Sequence, residues 1–274
     1  MLRLICLGLL PSLLCADLHL SDFNASFDGP PDVFIFGVQK GATTALAEIL
    51  VGLKVCALSQ PYLKEPQFFS YGFNDKTFQD YVTGYQREKN ANPNILTLDA
   101  SPNYFGEMDA FNNFKRLYSP ESIAKKKFIL VIREPVARLF SWYQHIYGDC
   151  SAFHSGKLPE FNATAIYYCI APAPGQPYHD SFHEYLKRRE MYTEFGYYLR
   201  EYQRWMTLIS RKQLLILNTQ ALLGNEQSDI VDRVLDFLGF GHLKTGSHKL
   251  TKQNGKKSHC KGKLLIQSFS CNKT

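Results

Sequence analysis

The sequence predicts an α/β fold in three layers, with a central parallel sheet flanked by helices on both faces, on three observations. Short β-branched or aromatic runs alternate with stretches of helical period over most of the chain. The first run ends in a glycine-containing loop that leads straight into a helix. Polar and charged residues stand just after several of the runs, where an open α/β sheet binds its ligands.

The first element is a buried strand over Val33–Phe36, bounded by Gly29-Pro30-Pro31 before it and Gly37 after it. A helix starts near Thr43, because Ala45, Leu46, Ile49 and Leu50 share one face and Thr43 or Thr44 can cap the N-terminus. Val55–Leu58 reads as a short second strand. Phe78, Tyr81, Val82 and Tyr85 give helical spacing over 74–90, and Ile95–Leu98 reads as a strand that turns at Ser101-Pro102. A short helix over 109–118 precedes the strongest strand, Phe128–Ile132, and Pro135 opens the next helix, where its missing N–H costs nothing. Residues 150–180 are rich in Gly, Pro, Ser and His without a period and read as a long loop. Helices follow at about 180–190 and 195–207. Leu214–Leu217 is a further strand, and a helix through Ile230, Val231, Val234, Leu235 and Leu238 closes at Gly239.

With 45% hydrophobic residues in 274, the chain can bury a large core and is most simply one domain. A net charge of +6 favours anionic partners, but no Lys/Arg block with interleaved aromatics points to nucleic acid. The lysine triplet Lys125-Lys126-Lys127 reads as a solvated strand entrance. Residues 1–16 carry one early positive charge and a short apolar run ending in small residues, the pattern of a signal peptide, which leaves 17–274 as the folded domain. That run is too short to span a bilayer, and no other stretch is long enough. The sequons at Asn24, Asn162 and Asn272 agree with a secretory route, the last being too near the end for ready use.

In Gly37-Val38-Gln39-Lys40-Gly41-Ala42-Thr43-Thr44, backbone amides at a helix start, the helix dipole, an ammonium and two hydroxyls can reach one group of oxygens. The arrangement is P-loop-like and suits a phosphate. The alternative is a glycine turn with a solvated lysine. It is not a Walker A loop, since the lysine precedes the second glycine.

Four ordered segments resemble the sulfotransferases that use 3'-phosphoadenosine 5'-phosphosulfate (PAPS), above all the Golgi glycosaminoglycan branch. These are the loop itself, Lys64-Glu65-Pro66-Gln67-Phe68-Phe69, Leu98-Asp99-Ala100-Ser101-Pro102-Asn103-Tyr104-Phe105, and the stretch from Phe128 through Arg133-Glu134-Pro135 to Ser141. The Lys64-Glu65-Pro66 segment resembles that of the N-acetylgalactosamine 4-sulfate 6-O-sulfotransferases, whereas the Ser101-Pro102-Asn103-Tyr104-Phe105 segment is more similar to that of the heparan sulfate N- and 3-O-sulfotransferases. The resemblance implies PAPS as co-substrate without a metal, a glycosaminoglycan acceptor, and a Golgi-lumenal or secreted enzyme. It implies that Gln39, Lys40, Gly41, Ala42, Thr43, Thr44, Arg133 and Ser141 bind the cofactor, joined by Lys261 and Lys263 from a basic loop. Arg133 and Ser141 would hold the 3'-phosphate; by pattern alone Arg133 is equally a surface ion-pair partner.

Glu65 matches the family's proposed base and Lys40 the group that neutralises the leaving oxygen, while Lys64, Gln67 and Asp99 are candidate acceptor contacts, with Asp99 also a reserve base. Glu65 paired with Lys64 on the surface is the bland alternative. Gln39, Gln67 and Ala100 stand where the 3-O-enzymes carry arginine, histidine and lysine, so an acceptor other than 3-O-type heparan sulfate is expected. Family members continue past the position of Thr274, so a short C-terminus is expected. Cleavage near Ala16 removes Cys6 and Cys15 from the seven cysteines and leaves five. Cys150–Cys169 and Cys260–Cys271 each close a short polar loop, the second resembling a C-terminal loop of the 3-O-enzymes, and Cys56 reads as a buried thiol. Two other readings stay open: a PAPS-fold protein that binds sulfated glycan without turnover, and a P-loop kinase-like enzyme.

Overall fold

The computed structural model describes residues 19–20, 27–59, 64–154, 182–188 and 196–243. The leader, Asn24, Asn162, Asn272, Cys169, Cys260, Cys271, Lys261 and Lys263 lie outside the described residues. So does the second half of each expected disulfide.

Five parallel strands, β1 (Val33–Gly37), β2 (Cys56–Leu58), β3 (Leu96–Asp99), β4 (Lys127–Ile132) and β5 (Leu214–Asn218), form one sheet in the order β2-β3-β1-β4-β5. The chain order reverses beside β1, which puts the switch point, and the crevice it opens, at the C-terminal ends of β1, β3 and β4. Helices α1 (Thr43–Gly52), α2 (Phe68–Tyr71), α3 (Asp75–Ala91), α4 (Met108–Leu117), α5 (Pro120–Ile123) and α6 (Pro135–His154) connect the strands. Further on come α7 (Phe182–Arg188), α8 (Tyr198–Trp205), α9 (Thr219–Leu223) and α10 (Gln227–Leu238).

The two faces of the sheet are packed with different side chains because strand residues alternate in direction. Phe34, Phe36, Phe128 and Leu130 face an aromatic layer containing Phe68, Phe69, Tyr81, Tyr85, Phe114 and Trp205, contributed by α2, α3, α4 and α8. Val33, Ile35, Ile129 and Val131 face an aliphatic layer from α1 and α10. Phe69 and Phe114 stack with ring centroids 3.8 Å apart, and Trp205 meets Phe36 edge-on at 5.0 Å. Such rings bury large apolar areas and also fix orientation. Cys56 is a free buried thiol whose pKa burial pushes up to about 12.

Local chemistry sets the ends. The Asn74 side chain accepts the Thr77 N–H at 3.2 Å and caps α3. Gly239 closes α10 at φ 90°, where a side chain is disfavoured. The lysine triplet lies at the N-terminal end of β4, opposite the loop. Lys125 pairs with Asp28, Lys126 donates to the Gly29 carbonyl at 2.6 Å, and Lys127 covers the Phe237 ring. Burial pulls the Lys126 pKa down to about 8. The stretch expected as a loop from residue 150 is helical to His154. Among the described residues no helix is long and apolar enough to cross a membrane.

Candidate functional site

In the loop from Val38 to Ala42, three successive carbonyls each accept a hydrogen bond from a side chain. Gln39 O accepts from Arg138 Nε at 2.8 Å, Lys40 O from Arg133 Nη1 at 3.2 Å, and Gly41 O from Thr219 Oγ1 at 2.8 Å. A trans peptide carries its C=O and N–H on opposite sides. The amides of Lys40 and Ala42 therefore point away from Arg138 and Thr219. The Gly41 amide closes the loop onto Val38 O at 2.9 Å.

Two loop residues that are not glycine, Lys40 at φ 65° and Ala42 at φ 71°, hold left-handed backbone. Such positions cost about 1–3 kcal/mol each and persist where the surroundings over-determine them. Gly41 is required between them because a Cβ there would stand 2.4 Å from Val131 O and 2.8 Å from Val38 O. Thr43 and Thr44 do not cap α1 as the sequence suggested. Left-handed Ala42 is the N-cap, with no side-chain cap, so the threonines are already helical, Thr43 buried and Thr44 exposed. The first-turn amides of α1 lack intrahelical partners. The loop, the dipole end and Lys40 thus fit a phosphate or sulfate oxygen group.

Arg133 follows β4 and is half-buried, its backbone carbonyl accepting Tyr198 OH at 2.7 Å. The next residue, Glu134, takes the Val136 and Ala137 amides at 2.9 and 2.6 Å, and these bonds hold its carboxyl below the usual range. That carboxylate fills the N-terminus of α6, so an anion beside it depends on side chains. Ser141 is half-buried on α6, about 9 Å along the axis from Pro135.

The Lys64–Phe69 segment is stitched to the end of β3. Ala100 N donates to Lys64 O at 3.1 Å, Gln67 N donates to Ser101 Oγ at 2.9 Å, and Phe68 and Phe69 are buried beneath. Gln67 is left-handed at φ 51°. Glu65 is left partly exposed; Lys64 Nζ donates to its Oε1 and Gln67 Nε2 approaches its Oε2 at 3.5 Å. The pairing that the sequence offered as the bland alternative is therefore present, on the rim of the crevice.

Asp99 is corrected. It is fully buried, and its two oxygens accept from Tyr81 OH at 2.8 Å, Tyr104 OH at 2.9 Å, Ser101 N at 3.0 Å and Ser101 Oγ at 2.6 Å. With no face open to a glycan, it is neither an acceptor contact nor a reserve base; it organises the turn that holds Gln67. Burial raises its pKa to about 6 against the lowering by those donors. Sequence reading missed Arg138, Thr219, Tyr198 and Ser101. A second arginine in the first turn of α6 was the one visible signal for Arg138.

The family described as Sulfotransferase domain matches residues 30–273. The bifunctional heparan sulfate N-deacetylase/N-sulfotransferase 3 of Mus musculus is 27% identical over 236 residues, 85% of this chain and 25% of that protein. Heparan sulfate glucosamine 3-O-sulfotransferase 6 of Homo sapiens is 26% identical over 249 residues, 85% of this chain and 62% of that protein. The chain thus spans about a quarter of the first relative and under two thirds of the second. A crystal structure of a sulfotransferase from Alicyclobacillus acidocaldarius superposes with TM-score 0.52 at 17% identity, covering 77% of this chain and 81% of that one, a likeness of fold. The chain belongs to the sulfotransferase domain family.

Proposed function

We propose that this member of the family moves the sulfuryl group of PAPS to a hydroxyl or amine of a glycosaminoglycan-type glycan of heparan sulfate character in the Golgi lumen. The observation that carries the reading is the loop whose carbonyls at Gln39, Lys40 and Gly41 are all held by side-chain donors, beside an α1 N-terminus without a side-chain cap. The heparan sulfate relatives support the glycan class, and the short apolar run at the N-terminus with the sequons supports the lumen.

PAPS, when bound, supplies an activated sulfuryl group on a phosphate leaving group. The loop residues Gln39–Thr44 would hold its 5' end, and Arg133 with Ser141 its 3'-phosphate, with Lys261 and Lys263 as further candidates outside the described residues. Lys40 carries a fixed positive charge where negative charge grows on the bridging oxygen as the S–O bond breaks. Glu65 takes the proton of the attacking hydroxyl as the new S–O bond forms. For Glu65 to act, Lys64 must yield its Oε1, a movement that a partly exposed pair on a rim allows. Lys64 and Gln67 then face the acceptor.

One observation favours a second reading. With Lys64 and Gln67 both on Glu65, a protein that binds sulfated glycan without turnover is the competing account. Transfer of radiolabel from PAPS to desulfated and native heparan sulfate, with disaccharide analysis of the product, decides between them. Labelled disaccharide supports the enzyme; glycan binding with no label in any disaccharide supports the binder.

A further inference from the structure

We infer that Arg138 is a positioning residue for the phosphate loop: it holds the Gln39 carbonyl and thereby fixes the Lys40 amide, on the opposite side of that peptide, for an anion. The inference rests on the donor-binding reading above for its consequence, but its geometry stands independently. Arg138 lies in the first turn of α6, where its own amide bonds to Glu134 O at 2.8 Å. From there Nε reaches Gln39 O at 2.8 Å across 99 positions of sequence. The guanidinium centre stands 5.8 Å from the Tyr198 ring centroid on α8, and the Tyr198 hydroxyl is anchored on Arg133 O. One side chain therefore joins the loop, the start of α6 and α8.

The loop needs such an anchor because its backbone is strained. Left-handed Lys40 and Ala42 would relax if the carbonyls between and beside them were free to turn. A charge-assisted bond in a half-buried place is the strongest of the available restraints. Thr219, just after the edge strand β5, restrains Gly41 O as a neutral donor. Arg133 restrains Lys40 O at a longer 3.2 Å and has a second task at the phosphate. Lysine does not replace Arg138, because its ammonium lacks the planar fork that donates from Nε while lying near an aromatic ring. Burial lowers the Arg138 pKa from the ordinary arginine value, in keeping with a side chain enclosed between elements.

The test compares Arg138→Ala, Arg138→Lys and Arg133→Ala in the full chain. Amide hydrogen exchange over residues 38–46 is read without ligand, with α10 as the internal control. Affinities for 3',5'-ADP and 5'-AMP are then read by calorimetry. Both Arg138 variants are expected to speed exchange in 38–46 and leave α10 unchanged. They should weaken 3',5'-ADP and 5'-AMP by the same factor, about ten- to a hundredfold, the loss of one hydrogen bond to a charged group. Arg133→Ala should weaken 3',5'-ADP more than 5'-AMP, since only the former carries the 3'-phosphate.

Unchanged loop exchange in the folded variants overturns the inference. So does a loss confined to 3',5'-ADP, which would make Arg138 a phosphate ligand, or full recovery by lysine. If the wild type binds neither nucleotide, the donor reading fails, and the exchange measurement still decides the role of Arg138. Should Arg138→Ala not fold, Arg138→Lys carries the same comparison.

Discussion

The Ser101 hydroxyl donates to Asp99 Oδ1 at 2.6 Å while it accepts the Gln67 amide at 2.9 Å, so a fully buried carboxylate fixes the segment that presents Glu65. This link predicts a pH signature. Burial raises the Asp99 pKa from 3.8 to about 6, so the folded protein binds that proton more tightly than the unfolded chain does. The stabilising contribution is full below about pH 4 and is lost as pH rises through about 6. Asp99→Asn removes the titration and one acceptor; the lost acceptor costs about 1–3 kcal/mol, and the titrating contribution adds to the difference only at low pH. In urea unfolding at pH 4 and pH 7, the gap between wild type and Asp99→Asn should narrow at the higher pH. A gap that widens with pH would mean that Asp99 is ionised more easily in the fold than in the unfolded chain.

Gly41→Ala tests the tightness of the loop. The added methyl would meet Val131 O at 2.4 Å and Val38 O at 2.8 Å, both backbone atoms that no side-chain rotation can clear. The expected outcome is a loss of about 1–3 kcal/mol in stability from overpacking. Weaker 3',5'-ADP binding should accompany it, because the loop must lift from β4. A normal melting temperature together with normal affinity would show that the loop is not seated as described.

Glu65→Gln separates chemistry from binding. Loss of a general base typically costs about 10² to 10⁴ in rate. Turnover on the true acceptor should fall by that factor while 3',5'-ADP binding persists, whereas Lys40→Ala should lower both. Near-normal turnover in Glu65→Gln would move the base elsewhere. Asp99 is no longer the first substitute to test, being sealed from solvent.

The strands and long helices were legible because burial on both sheet faces writes continuous apolar runs, as at Val33–Gly37 and Lys127–Ile132. The loop was legible from Gly37, Lys40 and Gly41 between a strand and a helix. The four-residue helices α2 and α5 were not, since one turn has no period to read. The continuation of α6 past Gly148 and Asp149 was hidden by residues that favour turns. The anchors of the loop carbonyls join positions 99 and 178 apart in sequence, Arg138 to Gln39 and Thr219 to Gly41, and no local pattern encodes them. Asp99 misled because a carboxylate at a strand end ordinarily faces ligand; here Tyr81 and Tyr104 enclose it.

The most direct test of the donor site is the thermal stability of the purified chain with 3',5'-ADP, set against ATP with magnesium. A ligand that binds the folded chain alone stabilises it by about 2.7 kcal/mol at a hundredfold excess over its Kd. The account predicts that 3',5'-ADP raises the melting temperature and that Arg133→Ala and Ser141→Ala each require more of it for the same rise. Stabilisation by ATP with magnesium and none by 3',5'-ADP would contradict it.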